Sequence, residues 1–149
     1  METLVNVDVP DLEAAIEFYR NATELTFVRR LFDGTVAELA ADSVRIFLLQ
    51  QRPGSAPVPD APVSRDYRRH WTPVHLDFVV PDLESAVAKA LAAGARLERP
   101  IEGFAWGRQA VFGDPFGHGF CLLQWQGGGY DEVAVREAGV AAQAGAGSP

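Results

Sequence analysis

The sequence VPDLEAAI at residues 9–16 recurs as VPDLESAV at residues 80–87, at an offset of 71 residues and with six of the eight positions identical. An alternating apolar pattern leads into the first copy at Val5, Val7 and Val9. The matching residues before the second copy are Val74, Leu76, Phe78 and Val80. A period of two is typical of a strand with one buried face. The chain therefore contains an internal repeat, and each copy begins with a strand.

The Pro-Asp pair inside each copy marks the start of a helix. Asp11 and Asp82 can accept hydrogen bonds from free N–H groups of the first turn, and Glu13 and Glu84 lie where the helix dipole favours negative charge. The apolar residues then follow the spacing i, i+3, i+4, i+7 of one buried helical stripe. They are Leu12, Ala15, Ile16 and Tyr19 in the first copy and Leu83, Ala86, Val87 and Ala90 in the second.

Three strand-like segments follow each helix, so each half of the chain has the pattern β-α-β-β-β. The segments are 25–32, 35–41 and 44–50 in the first half, and 96–101, 108–113 and 118–125 in the second. The predicted fold class is α+β, with two βαβββ modules whose mixed sheets curl around a shared cleft and carry the helices on the outer face. The predicted divisions are a first module at 1–50, a proline-rich linker at 51–73, a second module at 74–125 and a Gly/Ala-rich tail, expected to be flexible, at 126–149.

Composition excludes several classes of partner. The formal net charge of −7 argues against nucleic acid, because phosphate binding requires a basic face. No apolar run approaches the roughly 18–20 residues that span a bilayer, and residues 1–11 do not have the pattern of a secretion signal. The single cysteine, Cys121, rules out an internal disulfide. A cytoplasmic protein is therefore expected.

Several of these motifs together resemble the vicinal-oxygen-chelate superfamily. They are the strand-VPDL-helix openings, the paired modules, HLDFVVPDLESAVAKALAAGARL at 75–97 and DPFGHGFCLLQ at 114–124. That superfamily includes glyoxalase I, extradiol dioxygenases, fosfomycin-modifying enzymes and bleomycin-resistance proteins. The chain is most similar to the glyoxalase-like proteins common in actinobacteria, over about residues 4–125. The resemblance implies the fold. It does not imply one activity, because proteins with unrelated activities share this fold.

The resemblance also implies four positions for metal ligands. A histidine usually stands seven residues before the helix-opening aspartate, which places His75 in the second module but Leu4 in the first. A glutamate usually stands four residues after the glycine of the DP-x-G turn, where this chain has Cys121, and the matching position in the first module is Phe47. We therefore expect the usual metal site to be absent and predict no cofactor. The alternative is a divalent metal bound at a displaced position, where Asn6, Asp8 or Glu38 would supply the oxygen ligand.

Strand alternation predicts the side chains that face the cleft. If Val5, Val7 and Val9 pack beneath the helix, every second residue between them faces the opposite way. The ligand-binding residues predicted in this way are Asn6, Asp8, Arg45, Phe47, Cys121 and Leu123, and two aromatic residues of a predicted loop, Phe104 and Trp106, are added to them. The predicted catalytic residues are His75 and Asp77, where Asp77 orients the imidazole or pairs with Arg45.

Each of these residues has a structural alternative. His75 is as well explained by a structural hydrogen bond, and Cys121 by a small buried apolar side chain. Phe104 and Trp106, placed in the loop between two strands, either close the pocket or pack at a hinge. Tyr67 and Trp71 in the linker are interpreted as a clasp between modules, and His118 as a turn residue.

Two functions follow from this pattern. The favoured one is a metal-independent binding protein of the glyoxalase/bleomycin-resistance type, with an apolar cleft and an acidic rim that suits a small organic ligand and favours a cationic one. The alternative is a glyoxalase- or dioxygenase-like enzyme (a lyase, isomerase or oxidoreductase) that uses His75 as a base or as the ligand of a displaced metal. The resemblance also implies a homodimer, because members of the superfamily commonly pair or exchange modules.

Overall fold

The computed structural model describes residues 3–42 and 44–135. The predicted flexible tail at 126–149 falls within this range only as far as Val135, and the rest of it lies outside the described residues. Residues Gly129–Val133 form a short 3-10 helix. None of the helices in these ranges is long and apolar enough to cross a membrane.

The two halves of the chain have the same element order. Module 1 consists of β1 (Val5–Val9), α1 (Leu12–Ala22), β2 (Thr26–Leu31), β3 (Val36–Ala41) and β4 (Val44–Gln50). Module 2 consists of β5 (Leu76–Val79), α2 (Leu83–Ala92), β6 (Arg96–Phe104), β7 (Gly107–Gly113) and β8 (Gly119–Trp125). The sheet orders are β1-β4-β3-β2 and β5-β8-β7-β6, with the first pair parallel in each sheet and the other pairs antiparallel. The α+β class and the two βαβββ modules are confirmed.

Strand β6 is longer than the sequence predicted. It continues to Phe104, because the β6–β7 ladder persists to the Phe104–Gly107 pair despite two register shifts after Leu97. Phe104 is therefore the last residue of a strand, and only Ala105 and Trp106 form the turn. The prediction that Phe104 lies in a loop was wrong because a bulged strand lacks clean alternation.

Both helices begin as the sequence predicted. Asp11 Oδ1 accepts a hydrogen bond from the Ala14 N–H at 3.0 Å, and Asp82 Oδ1 accepts one from the Ser85 N–H at 3.0 Å. Each helix covers one face of its own sheet, so the opposite face of each sheet is called here its open face. Gly94, after α2, takes the left-handed conformation with φ 101°, as expected of the residue that stops a helix.

The two modules share one hydrophobic core. Helices α1 and α2 contact each other, and buried residues from both sheets belong to a single cluster. Phe18 of α1 crosses the module boundary, with its ring 5.9 Å from that of Phe116 and 6.3 Å from that of Phe120. Helix α1 could not leave module 2 without exposing aromatic surface, so hydrophobic burial holds the two modules together.

A buried carboxylate adds a polar link between the modules. The Asp114 side chain is fully buried, and Oδ2 accepts a hydrogen bond from the Tyr19 hydroxyl of α1 at 2.7 Å. Oδ1 accepts from the backbone N–H groups of Phe116 and His118 at 2.9 and 2.8 Å, which closes the turn between β7 and β8. The ring Nδ1 of His118 lies 3.0 Å from Oδ2. A buried carboxylate is tolerated here because donors surround it.

The linker at 51–73 contains no helix or strand, yet it is attached to both modules. Arg65 donates to Asp8 of β1 at 2.6 Å, and Arg69 makes two hydrogen bonds of 2.7 Å to Glu98 of β6. The Tyr67 hydroxyl donates to the Gln51 carbonyl at 2.9 Å. The two arginine contacts hold the linker against the folded modules, whereas the Tyr67–Gln51 bond lies within the linker.

Asp114→Asn is expected to destabilise the protein by about 3 kcal/mol. The NH2 group of asparagine would replace one carboxylate oxygen and would face N–H or O–H groups that are themselves donors. Urea denaturation measures the loss. The matched control is Asp33→Asn, in an exposed turn where Asp33 has φ 53° and asparagine tolerates that conformation. Equal losses in the two variants would contradict the role given to Asp114.

Candidate functional site

The open face of module 2 brings three chemically active side chains together. Asp77 and Cys121 are register partners on the parallel strands β5 and β8, and His75 directly precedes β5. His75 Nε2 lies 3.3 Å from Asp77 Oδ1, and one donor atom from each of the three residues falls within 4.8 Å of the others. Asp77 therefore lies where it can orient the imidazole, which is one of the two roles predicted for it.

Cys121 is held as a neutral thiol. Burial and the neighbouring Asp77 carboxylate, to which the thiol donates a hydrogen bond, raise the pKa of Cys121 to about 12, while Gln109 and Arg99 act in the opposite direction. A thiol with so high a pKa is a poor nucleophile at neutral pH. In the absence of a metal, Cys121 is a small apolar wall residue with a weak donor.

Apolar side chains continue the open face beyond Cys121. Val111, Cys121 and Leu123 are buried together, separately from the main core, and Trp106 packs against them. Their neighbours Phe120 and Leu122 belong to the main core, as strand alternation requires. Cys121, Leu123 and Trp106 thus share one surface, the side that strand alternation predicted for Cys121 and Leu123.

Four aromatic side chains form one group at the far end of this face. Phe104 and Trp106 are stacked with parallel rings and centroids 5.1 Å apart. Trp125 and Tyr130 complete the aromatic group, with rings 5.8 and 5.2 Å from Trp106 and 4.6 Å from each other. Phe104 is 40% exposed, Trp125 39% and Tyr130 54%, so flat aromatic surface remains accessible.

The linker bounds the same face at its other end. A Cβ atom at Gly119 would lie 2.7 Å from Arg69 Nη2 and 2.9 Å from the Trp71 ring, so glycine is required for the linker to approach β8. Trp71 contacts His75 edge to face at 5.1 Å, and the Arg69 guanidinium lies 4.8 Å from the Trp71 ring centroid. The module 2 open face therefore runs from Trp71 through His75, Asp77 and Cys121 to the aromatic group.

The remaining predicted residues belong to module 1. Asn6 and Phe47 are register partners on β1 and β4, the counterparts of Asp77 and Cys121. Arg45 and Arg29 reach the buried Glu38 carboxylate, at 3.6 and 2.6 Å, so this carboxylate is occupied by two guanidinium groups. The module 1 open face thus carries arginines and a phenylalanine where module 2 has a carboxylate and a thiol.

A cavity of about 370 Å³ lies between the modules. It is lined by residues of β1, α1, β5 and β8 together with the end of the linker. Asn6, Asp8 and His75 reach it, as does His118, which the sequence indicated only as a turn residue. Arg65 already pairs with the Asp8 carboxylate at 2.6 Å.

His75, Asp77 and Cys121 fit a divalent metal in number and type of donor. Catalytic zinc sites in general use three protein ligands drawn from nitrogen, sulfur and oxygen donors, and the three donor atoms here converge on one side of the sheet. Counting positions from the helix-opening aspartates and from the DP-x-G turn identified only His75 and Cys121 as possible ligands. The parallel register of β5 and β8 adds Asp77 as a third donor.

The chain belongs to the family described as Glyoxalase-like domain, which matches residues 4–123. None of the curated protein sequences matches it at a significant level.

Solved structures agree with this fold at low sequence identity. TioX from Micromonospora sp. ML1 is 16% identical with a TM-score of 0.64, covering 85% of this chain and 99% of its own. TnmS3, an antibiotic binding protein from Streptomyces sp. CB03234, is 21% identical with a TM-score of 0.57, covering 85% and 98%. The fosfomycin resistance protein FosX from Listeria monocytogenes is 16% identical with a TM-score of 0.63, covering 85% and 91%. Identities this low show a shared fold.

Asp77→Asn is expected to lower the pKa of Cys121 from about 12, because it removes the negative charge that opposes thiolate formation. At pH 9 the variant should therefore react with iodoacetamide about tenfold faster, as one pKa unit would give. Cys121 is the only cysteine, so mass spectrometry assigns the product without ambiguity. Equal alkylation rates in the two proteins would show that Asp77 does not control the thiol.

Proposed function

We propose that this protein binds a small organic molecule on the open face of module 2 without the help of a metal. The apolar body of the ligand lies on the aromatic group, and its polar end points to Asp77 and His75. Membership of the glyoxalase-like family and the fold shared with an antibiotic binding protein support this class of function.

The observation that carries the proposal is an exposed aromatic group on the same face as a carboxylate. Phe104, Trp125 and Tyr130 all contact Trp106. Three of these four aromatic residues are more than one-third exposed. Contiguous exposed apolar surface of this kind commonly marks a binding site. A planar ligand would bury the ring faces, and an offset-stacked pair of rings adds about 0.5–1.5 kcal/mol beyond the area buried.

The charges on this face favour a cationic or donor-bearing ligand. Asp77 keeps one-third of its side chain exposed, and its contacts with His75 and the Cys121 thiol leave it able to accept further hydrogen bonds. Aromatic faces also attract cations. The net charge of −7 would concentrate cations near the protein. A planar aromatic cation satisfies all three features.

Trp106→Ala is expected to weaken binding of 9-aminoacridine, a planar aromatic cation, by about tenfold or more, which corresponds to about 1.4 kcal/mol. Asp77→Asn should weaken binding of this cation, and it should affect binding of the planar anion anthracene-9-carboxylate less. Fluorescence titration measures both. The matched control is Phe32→Ala, which removes a 75% exposed aromatic ring from the β2–β3 turn.

Two results would contradict the proposal. One is equal affinity for the cation and the anion. The other is an equal loss of affinity in Trp106→Ala and Phe32→Ala, which would indicate unspecific adsorption to aromatic surface.

A second candidate function follows from the convergence of His75, Asp77 and Cys121. A divalent ion held there would polarise an oxygen atom of a substrate, as metals do in lyases, isomerases and oxidoreductases. In that case the neighbouring aromatic group would position the substrate and exclude water. Asp77 would either hold the ion or keep His75 in one orientation.

Metal titration distinguishes the two candidates. The proposed metal-independent binding predicts no thermal shift with Zn²⁺, Ni²⁺, Mn²⁺ or Fe²⁺, and 9-aminoacridine binding that survives a chelator. About one metal per chain, with a thermal shift lost in His75→Ala but kept in the linker variant His70→Ala, would contradict metal independence and favour the enzyme.

A further inference from the structure

The buried Asp114 carboxylate determines where the protons of two neighbouring side chains lie. It is fully buried and accepts four hydrogen bonds, two of them from side chains. A carboxylate has acceptors only, so His118 must donate its Nδ1–H across the 3.0 Å contact. In the neutral ring, Nε2 then carries a lone pair and can only accept.

Tyr19 is constrained in the same way. Its hydroxyl donates to Asp114 at 2.7 Å, so its oxygen can take part in further bonds only as an acceptor. Burial, with the Asp114 charge and hydrogen bond, raises the pKa of Tyr19 well above its ordinary value, so the group remains a hydroxyl. Asp114 thus leaves acceptors on both of the side chains it binds.

Both of these side chains line the cavity of about 370 Å³ between the modules. This volume is at the lower end of the roughly 300–1,000 Å³ typical of ligand sites. Its apolar lining includes Val5, Val7, Leu76, Phe78 and Phe120. The cavity is therefore largely apolar, and its polar lining consists of Tyr19 and His118 together with Asn6, Asp8, Thr72 and His75.

We propose that this cavity is a second ligand site, which takes a small apolar molecule bearing a hydroxyl group that donates to His118 Nε2. A neutral hydroxyl is favoured over a cation because Asp8, a carboxylate of the described lining, is already paired with Arg65. A carboxylate ligand is disfavoured because it would bring further acceptors to Nε2 and the Tyr19 oxygen. His75 belongs both to this lining and to the open face of module 2, but the proposal does not require a ligand at the open face.

Phenol is the probe and anisole, which lacks the donor, is its matched control. Methyl NMR separates the two sites, because Val5, Val7 and Leu76 report on the cavity whereas Val111 and Leu123 report on the open face of module 2. We expect phenol to give saturable shifts at the cavity methyl groups with at least tenfold higher affinity than anisole. Long-range nitrogen NMR should show the proton of His118 on Nδ1.

His118→Asn removes the Nε2 acceptor and should leave the protein folded. The asparagine amide can still donate to Asp114, but it has no atom at the position of Nε2. This variant should retain its urea midpoint and lose at least tenfold in phenol affinity at the cavity methyl groups. Trp106→Ala should leave cavity binding unchanged, so failure of this site and failure of the proposed function remain distinguishable. The proposal would be overturned by equal affinity for phenol and anisole. It would also be overturned by unchanged phenol affinity in a folded His118→Asn variant, or by a neutral His118 ring with its proton on Nε2.

Discussion

The arrangement of this molecule depends on the buried carboxylate of Asp114. One of its oxygens accepts a hydrogen bond from the Tyr19 hydroxyl of module 1. The other accepts two backbone hydrogen bonds that close the β7–β8 turn of module 2. Hydrophobic burial would hold the helices together in many orientations, whereas a buried charge is tolerated only where its donors lie in place. The same carboxylate also accepts a hydrogen bond from His118 Nδ1, which leaves Nε2 as the acceptor in the proposed second ligand site.

The two modules share one topology, but their open faces carry different side chains. The register pair Asn6–Phe47 in module 1 corresponds to Asp77–Cys121 in module 2. Around the first pair lies Glu38 with its arginines, while the second pair lies between His75 and the aromatic group. The proposed binding function thus resides mainly in one module, and the other module contributes the shared core and one wall of the cavity.

The features predicted from sequence were those that depend on near neighbours along the chain. Alternation placed Cys121 and Leu123 on one face, and the Pro-Asp pairs marked both helix starts, because strand and helix periods act over a few residues. Tyr19 and Asp114 are 95 residues apart, and no local pattern pairs them. The contribution of Tyr130 was missed for the same reason, since a 3-10 turn after β8 brings it back to Trp106. The linker contacts that bound the open face depend on individual arginines, whose partners are distant along the chain and follow from no local pattern.

A crystal structure of the protein with 9-aminoacridine would test the central claim most directly, because it shows which surface the ligand occupies. The account predicts a ring system stacked on Trp106, its charged group within hydrogen-bond distance of Asp77, and no metal between His75 and Cys121. A ligand bound elsewhere on the protein, or a metal ion coordinated by His75, Asp77 and Cys121 with the aromatic group left uncovered, would contradict it.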